Sequence, residues 1–342
     1  MMNERPGSAA SGSPNHMLSL FDWSPASLAA LVAEAGAMKA SPGAYQTALG
    51  SASAVLLFEK PSLRTRVSFE VGMARLGGHA LYLDHNSAKL DVRESVEDYA
   101  ANLCQWCDAI VARVDRHSTL ERMAAVSTVP VINALSDVEH PCQALADMLT
   151  LREVLGDLAG ARLAYIGDGN NVCHALMAAG AKLGVSVTVI TPQGHEPDAG
   201  YLSAAQAEGA RTGATIRVVA DPAAVAGHDA VYTDKWVSMG PGGDADCGAV
   251  AAEFEAYRVT ARLMDAAGDH AVFMHCLPAK RGAEVDAEVI DGPRSVVLQQ
   301  ARNRMWAQNA LLVELLGAAA ARPAGRTMLA RDSFPRVTAS VA

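Results

Sequence analysis

The stretch AVLLFEKPSLRTRVSFE, Ala54 to Glu70, sets an unbroken apolar run against a polar turn and then a helical pattern. Ala54 to Phe58 read as a strand buried on both faces, as a parallel sheet requires. Pro61 suits the first turn of a helix, where its missing N–H would be unpaired anyway. Ser62, Arg64, Thr65 and Arg66 therefore sit at a strand-to-helix turn. Free backbone N–H groups and the positive end of the helix dipole point outward at such a turn, which suits it to an anion.

The same alternation runs along the chain. Strand-length apolar runs AVLLF, HALYL, AIVARV and VPVINAL are separated by helical segments and close with PCQALADMLTLREVLG. A second series follows DLAG: RLAYIG, VSVTVIT, TIRVVA, AVYTD and AVFMHCL. Alternating strands and helices predict parallel sheets joined by right-handed crossovers. The expected fold class is α/β with two domains, each a parallel sheet flanked by helices. The expected bounds are 16–150 and 151–297, followed by a long helix over 298–317 (LQQARNRMWAQNALLVELLG). Residues 1–15 and 322–342 are expected to be flexible tails, and the opening MMNERPGSAASGSPNHM reads as a lead-in without the apolar core of a signal peptide.

A chain of 342 residues, half of them hydrophobic, is long enough for two cores. Its net charge of −9 argues against nucleic acid and makes an arginine cluster a local site rather than part of a basic surface. No apolar stretch reaches the roughly 18 residues of a membrane helix, so the expectation is a soluble cytoplasmic protein. Six cysteines are spaced too irregularly for a disulfide framework. CQWC (Cys104 to Cys107) has no second pair to complete a zinc site and falls within a helical pattern, so these are read as packing cysteines.

Ligands of open parallel sheets bind beyond the carboxyl ends of the strands, and the polar constellations fall there. SLRTR follows the first strand, Arg113 closes AIVARV, and His140 and Gln143 follow VPVINAL. GDGNN, TDKWVSMG and HCLPAKR follow three strands of the second series. Turn chemistry calls for Gly, Pro, Asn and Asp, not for Arg, His, Gln and Cys.

The set S-x-R-T-R, H-P-x-Q, G-D-x-x-N, D-x-W-x-S-M-G and H-C-L-P, in this order, resembles the aspartate/ornithine carbamoyltransferase family in its ornithine-type form. The resemblance covers roughly Leu18 to Leu316. It implies a carbamoyl-phosphate domain, an amino-acid domain, and a C-terminal helix returning to the first. It also implies a homotrimer with active sites between domains, each receiving one loop from a neighbouring subunit, and no metal or organic cofactor. It implies carbamoyl transfer from carbamoyl phosphate to L-ornithine within amino-acid biosynthesis.

By the same resemblance, Ser62, Arg64 and Thr65, with the Leu63 backbone N–H, hold the phosphate. Arginine suits this because it binds a dianion bidentately and stays charged. Thr65, Arg113 and His140 point at the carbamoyl oxygen, and Gln143 at the carbamoyl NH2. Arg304 reaches the carbamoyl phosphate from the last helix. Asn171, Asp234, Ser238 and Met239 hold the α-amino and α-carboxylate groups of ornithine. Cys276 and the Leu277 carbonyl orient the side-chain amine beside the carbamoyl phosphate.

Two positions depart from the family pattern. Leu63 stands where threonine is frequent, but its backbone N–H survives. In the loop NSAKLDVRES (Asn86 to Ser95), Lys89 adds a cation expected to reach the phosphate pocket. Asp91 replaces a flexible residue with easy access to positive φ. This loop keeps open an alternative acceptor: putrescine, lysine or another diamino acid. A nucleotide-dependent oxidoreductase fits poorly, because Val172 replaces the last glycine of the dinucleotide fingerprint and VITPQ carries no acid for a ribose.

Overall fold

In the computed structural model, residues 15–86, 89–236 and 252–321 are described, the last four through their backbone. The first sheet comprises β1 (Ser53–Phe58), β2 (His79–Asp84), β3 (Ala109–Arg113) and β4 (Val131–Leu135), in the order β2-β1-β3-β4. The second comprises β5 (Arg162–Ile166), β6 (Ser186–Ile190), β7 (Ile216–Val219), β8 (Ala230–Thr233) and β9 (Val272–His275), in the order β7-β6-β5-β8-β9. Every pairing is parallel. Each strand overlaps an apolar run that the sequence marks, β1 beginning one residue earlier at Ser53 and β2 ending one residue later at Asp84. Leu56, Leu57 and Phe58 of β1 are fully buried, which contributes about 2 kcal/mol for each side chain.

The helices among the described residues are α1 (Pro25–Ala40), α2 (Leu63–Arg75), α3 (Val96–Leu103), α4 (His117–Val126), α5 (Pro141–Leu155), α6 (Asn171–Leu183), α7 (Ala199–Thr212), α8 (Ala261–Ala267), α9 (Ala287–Ile290) and α10 (Val297–Ala321). Helix α5 runs through residue 150 and ends at Gly156, whose φ of 89° suits a residue without Cβ. The chain passes between sheets in the turn that follows. Helix α10 packs on α1, α2 and α5, so the last helix returns to the layer covering the first sheet. One apolar cluster joins Leu56 and Phe58 of the first sheet to Leu163 and Tyr165 of the second through α5, α6 and α10.

Three local expectations change. Pro61 precedes the helix rather than opening it, because Ser62 is the N-cap and its Oγ accepts from Thr65 N at 3.3 Å. The CQWC residues lie past α3, not within it. Gln105 N and Trp106 N bond three residues back, tightening the chain into a turn that ends the helix. Both cysteines are free, and burial pushes the Cys107 thiol up to about 11. The lead-in stops short of Met17, which is fully buried and bridges to Ile132 at the edge of the first sheet.

Candidate active site

The strand order reverses between β1 and β3 in the first sheet and between β5 and β8 in the second. These reversals open crevices at the carboxyl ends of the strands, and the candidate residues gather there. Phe58, the last residue of β1, lies in register with Arg113, the last of β3.

Ser62 and Thr65 close the start of α2, with their hydroxyl oxygens 3.1 Å apart. Arg304 of α10 ties three elements together. Its Nη1 donates to Gln143 Oε1 at 2.6 Å and its Nη2 to Thr65 Oγ1 at 3.1 Å. Thr65, Arg113, His140, Gln143 and Arg304 are all buried. Arg64 is half-buried and makes no hydrogen bond through its guanidinium among the described residues.

The electrostatics of this cluster are unbalanced. Burial, then Arg304 and Arg64, lower the Arg113 guanidinium to about 10. Burial, then Arg304, Arg113 and Arg64, hold His140 well below 6.5, so its imidazole is neutral at pH 7. Arg113 Nε, Arg304 Nε and His140 Nδ1 are buried without a hydrogen-bond partner among the described residues. Buried cations without a counter-anion are costly. Such a cluster is complementary to a small dianion that brings acceptors of its own.

Gln143 is oriented from behind. Its Nε2 donates to Asp147 Oδ1 at 2.7 Å, which turns its carbonyl toward Arg304 and the site. Gln300 Nε2 donates to the same oxygen at 2.7 Å, and Gln300 Oε1 accepts from His275 N at 3.0 Å. The chain Gln143–Asp147–Gln300–His275 thus links the first sheet's site to the loop that carries Cys276. Asp147 is fully buried, and burial raises it to about 7. Sequence reasoning missed it, although an acid four residues after Gln143 on a helix packed with Leu, Ala and Met was a readable signal.

Asp234 lies just beyond β8. Its Oδ1 accepts from the Cys276 thiol at 2.9 Å and from Lys235 N at 2.8 Å, and its Oδ2 accepts from Asn170 Nδ2 at 3.0 Å. Burial, then Asp234, push the Cys276 thiol well above its ordinary value, so it is a neutral donor rather than a thiolate. Arg64 faces Cys276 and Asp234 electrostatically, so the two halves of the site look at one another. Leu277 adopts a left-handed φ of 57°. Such strain is uncommon for a side chain of this kind and tends to persist where a site is shaped. Asn170, also missed, caps α6 and holds Asp234. Gly169 explains why the preceding turn reads like a dinucleotide loop: a Cβ there would meet Pro197 N at 2.2 Å.

Other candidates are placed differently. Asn171 turns away from Asp234 and donates to Ser136 O at 2.6 Å, joining α6 to the loop before His140. Lys89 does not enter the phosphate cluster of its own chain. Its Nζ donates to Asp115 Oδ2 at 2.9 Å and to Glu59 O at 3.2 Å, because Asp115 supplies a nearer anion. Asp91 keeps the positive φ expected of a flexible residue, at 64°, and is held by Arg122 at 2.7 and 3.0 Å. Leu63 is 76% exposed and leaves its side chain outside the cluster. Ser238 and Met239 lie outside the described residues. Asp234, His275 and Cys276 bring one donor atom each within 4.8 Å of one another, but these atoms are engaged with the Asp234–Cys276 bond, Leu277 N and Glu284.

Comparison with known proteins agrees with this geometry. Residues 15–153 match the aspartate/ornithine carbamoyltransferase carbamoyl-P binding domain, and residues 159–315 match the Asp/Orn binding domain of the same family. The chain is 51% identical over 300 residues to an ornithine carbamoyltransferase of Shewanella oneidensis, covering 88% of this chain and 99% of that protein. It is 46% identical to one from a Vibrio species over 301 residues, with the same coverage. The solved structure of the ornithine carbamoyltransferase from Pyrococcus furiosus superposes with a TM-score of 0.85 at 44% identity, covering 88% of this chain and 97% of that one. With both domains matched across nearly all the described residues, the chain belongs to the aspartate/ornithine carbamoyltransferase family.

Proposed function

We propose that this protein transfers the carbamoyl group of carbamoyl phosphate to the side-chain amine of L-ornithine, giving L-citrulline and phosphate. The observation that carries the reading is the cluster of half-buried Arg64 with buried Arg113, Arg304 and neutral His140, short of acceptors among the described residues and facing Asp234 and Cys276. A dianion satisfies the cluster, and an amino acid's ammonium satisfies Asp234.

The roles are those the resemblance implies, and the placement of the described residues supports them. Ser62, Arg64, Thr65 and the N–H groups of the first turn of α2 bind the phosphate. Arg113, Thr65 and His140 donate to the carbamoyl oxygen, where negative charge builds as the amine attacks; each fixed donor there is worth about 3 kcal/mol. Gln143, its carbonyl turned inward by Asp147, accepts from the carbamoyl NH2. Asp234 binds the α-ammonium, and the resemblance adds Ser238 and Met239 to the amino-acid site; Asn171, engaged with Ser136 O, joins that site to the His140 loop. Cys276 and the Leu277 carbonyl orient the reacting amine. That amine has a pKa near 10 in water, and neutral or already occupied acceptors around it favour the unprotonated form. The new C–N bond forms as the C–O bond to phosphorus breaks, and the departing phosphate takes the amine's proton.

The assembly we propose is a trimer. Leu63, Val67 and Val71 share one face of α2 at i, i+4 and i+8, and lie exposed with Leu81 on the edge strand β2 and Val92 in the neighbouring loop. An apolar stripe beside a free sheet edge suits an interface. Sedimentation equilibrium is expected to give three times the chain mass, and a monomer would overturn the assignment. No described helix is long and apolar enough to cross a membrane, and we place the enzyme in the cytoplasm.

The function is tested by supplying carbamoyl phosphate with ornithine, putrescine, lysine, diaminopropionate or aspartate and measuring ureido products by mass. Citrulline is expected to dominate. A different dominant product would overturn the ornithine assignment and leave the carbamoyl phosphate site standing. The relatives' shared name and Asp234's fit to an α-ammonium favour ornithine over the alternative amines.

A further inference from the structure

The loop between β4 and α5 carries His140 and is gripped from the other side by the second sheet's helices. Ser136 O accepts from Asn171 Nδ2 at 2.6 Å, and Val138 O lies 2.8 Å from His174 Nδ1. The next residue, Glu139, is fully buried. Its Oε1 accepts from Leu20 N at 2.8 Å; its Oε2 accepts from Ser19 Oγ at 2.6 Å and from Tyr201 OH at 2.5 Å. One carboxylate therefore joins the segment before α1, the His140 loop and helix α7. None of its three hydrogen-bond donors among the described residues is charged. A buried carboxylate held without a cation is an expensive way to pack a loop.

We propose that Glu139 is a positioning residue: its carboxylate, held by Tyr201 of α7, sets the His140 imidazole for the carbamoyl oxygen and ties that setting to the amino-acid half of the enzyme. This rests on the role given to His140 above. The titratable and charged groups around Glu139 are Asp22 in the N-terminal turn, Cys142 on α5, His174 and Lys182 on α6, and Tyr201 on α7. Lys182 is occupied: its Nζ donates to Trp23 O at 2.5 Å and lies 3.9 Å from Glu208. His174 stacks on the Tyr201 ring at 4.6 Å and is held neutral by burial.

Burial raises Glu139 to about 7, outweighing the hydrogen bonds from Ser19, Tyr201 and Leu20 that favour the anion. These neighbours all donate. A protonated carboxyl brings a hydrogen of its own, so one neighbour must turn to accept it or lose its partner. The joint is tight when Glu139 is ionised and loosened when it is protonated. Its contribution to turnover is present above about 7 and lost as pH falls through that value.

The test is kcat at saturating carbamoyl phosphate and ornithine, measured from about pH 6 to about pH 9. The wild type is expected to show an acid limb near 7. Tyr201→Phe removes a donor to the anion, so the limb should move upward by about one pH unit. Glu139→Gln cannot ionise and should lose the limb, while the limb set by ornithine's amine stays in all the proteins. If Glu139→Gln fails to fold, Tyr201→Phe alone decides. A limb unmoved in Tyr201→Phe, or surviving in Glu139→Gln, would overturn the proposal. Absence of citrulline from the wild type would overturn the functional reading instead.

Discussion

Replacing Arg64 with alanine is expected to cripple turnover and leave the protein as stable as before, or more so. The two effects share one cause. Arg64 makes no guanidinium hydrogen bond to the described residues, so none of them loses a partner with it. It does crowd Arg113, Arg304 and His140, and helps hold all three below their ordinary pKa values after burial has acted. Removing one cation from this group relieves the other two. The bound phosphate, by contrast, loses a bidentate donor that stays charged. Removing one fixed donor from a developing charge costs roughly 10²–10³ in rate, and a ligand of the leaving group also affects binding. A fall in kcat/KM of about 10³ is expected, with an unchanged or raised Tm by calorimetry. Turnover within about tenfold of the wild type would sink the phosphate assignment. A lowered Tm would show that Arg64 supports the fold.

Much of this site was legible in the sequence because it uses residue types that folding does not call for. A guanidinium or imidazole at the end of a buried strand needs another explanation, and Arg64, Arg113 and His140 stand at such ends. The strands were legible for a related reason. Parallel strands are covered on both faces, so β1, β3 and β5 read as continuous apolar runs. Edge strand β2 read less cleanly, with Leu81 exposed, and it borders the stripe assigned to an interface.

What could not be read are contacts made by residues remote in sequence. Arg304 meets Thr65 and Gln143 across intervals of 239 and 161 residues. Glu139 meets Ser19 and Tyr201 from two other elements. Within its own chain Lys89 pairs with Asp115, an anion that follows a different strand. Asp91 shows a subtler limit. Replacing a flexible residue by aspartate was taken as a loss of positive φ, yet Asp91 adopts φ 64° with its carboxylate held by Arg122. A residue type predicts backbone preference; its ion pair decides the outcome.

Asp147→Ala and Asp147→Asn are expected to part company. The Asp147 carboxyl serves through one oxygen, Oδ1, which accepts from Gln143 Nε2 and Gln300 Nε2, both at 2.7 Å. Alanine leaves two buried amide donors unpaired, at about 1–3 kcal/mol each. It also frees Gln143 to turn its NH2 toward Arg304, where a donor would meet a donor. The carbamoyl NH2 then loses its acceptor, and Gln300 loosens its hold on the chain entering Cys276. The expected result is a loss of stability of about 2–4 kcal/mol and a fall in kcat/KM of roughly 10². Asparagine keeps a carbonyl oxygen where Oδ1 stands. It also matches the neutral form that the buried carboxyl approaches at its raised pKa of about 7. Its kcat/KM should stay within about tenfold of the wild type. Urea denaturation and steady-state kinetics on both variants decide the matter. Equal losses in the two would mean that the negative charge, not the oriented acceptor, is what the site uses. Wild-type kinetics in Asp147→Ala would mean that Gln143 is fixed by something other than its partner one turn along α5.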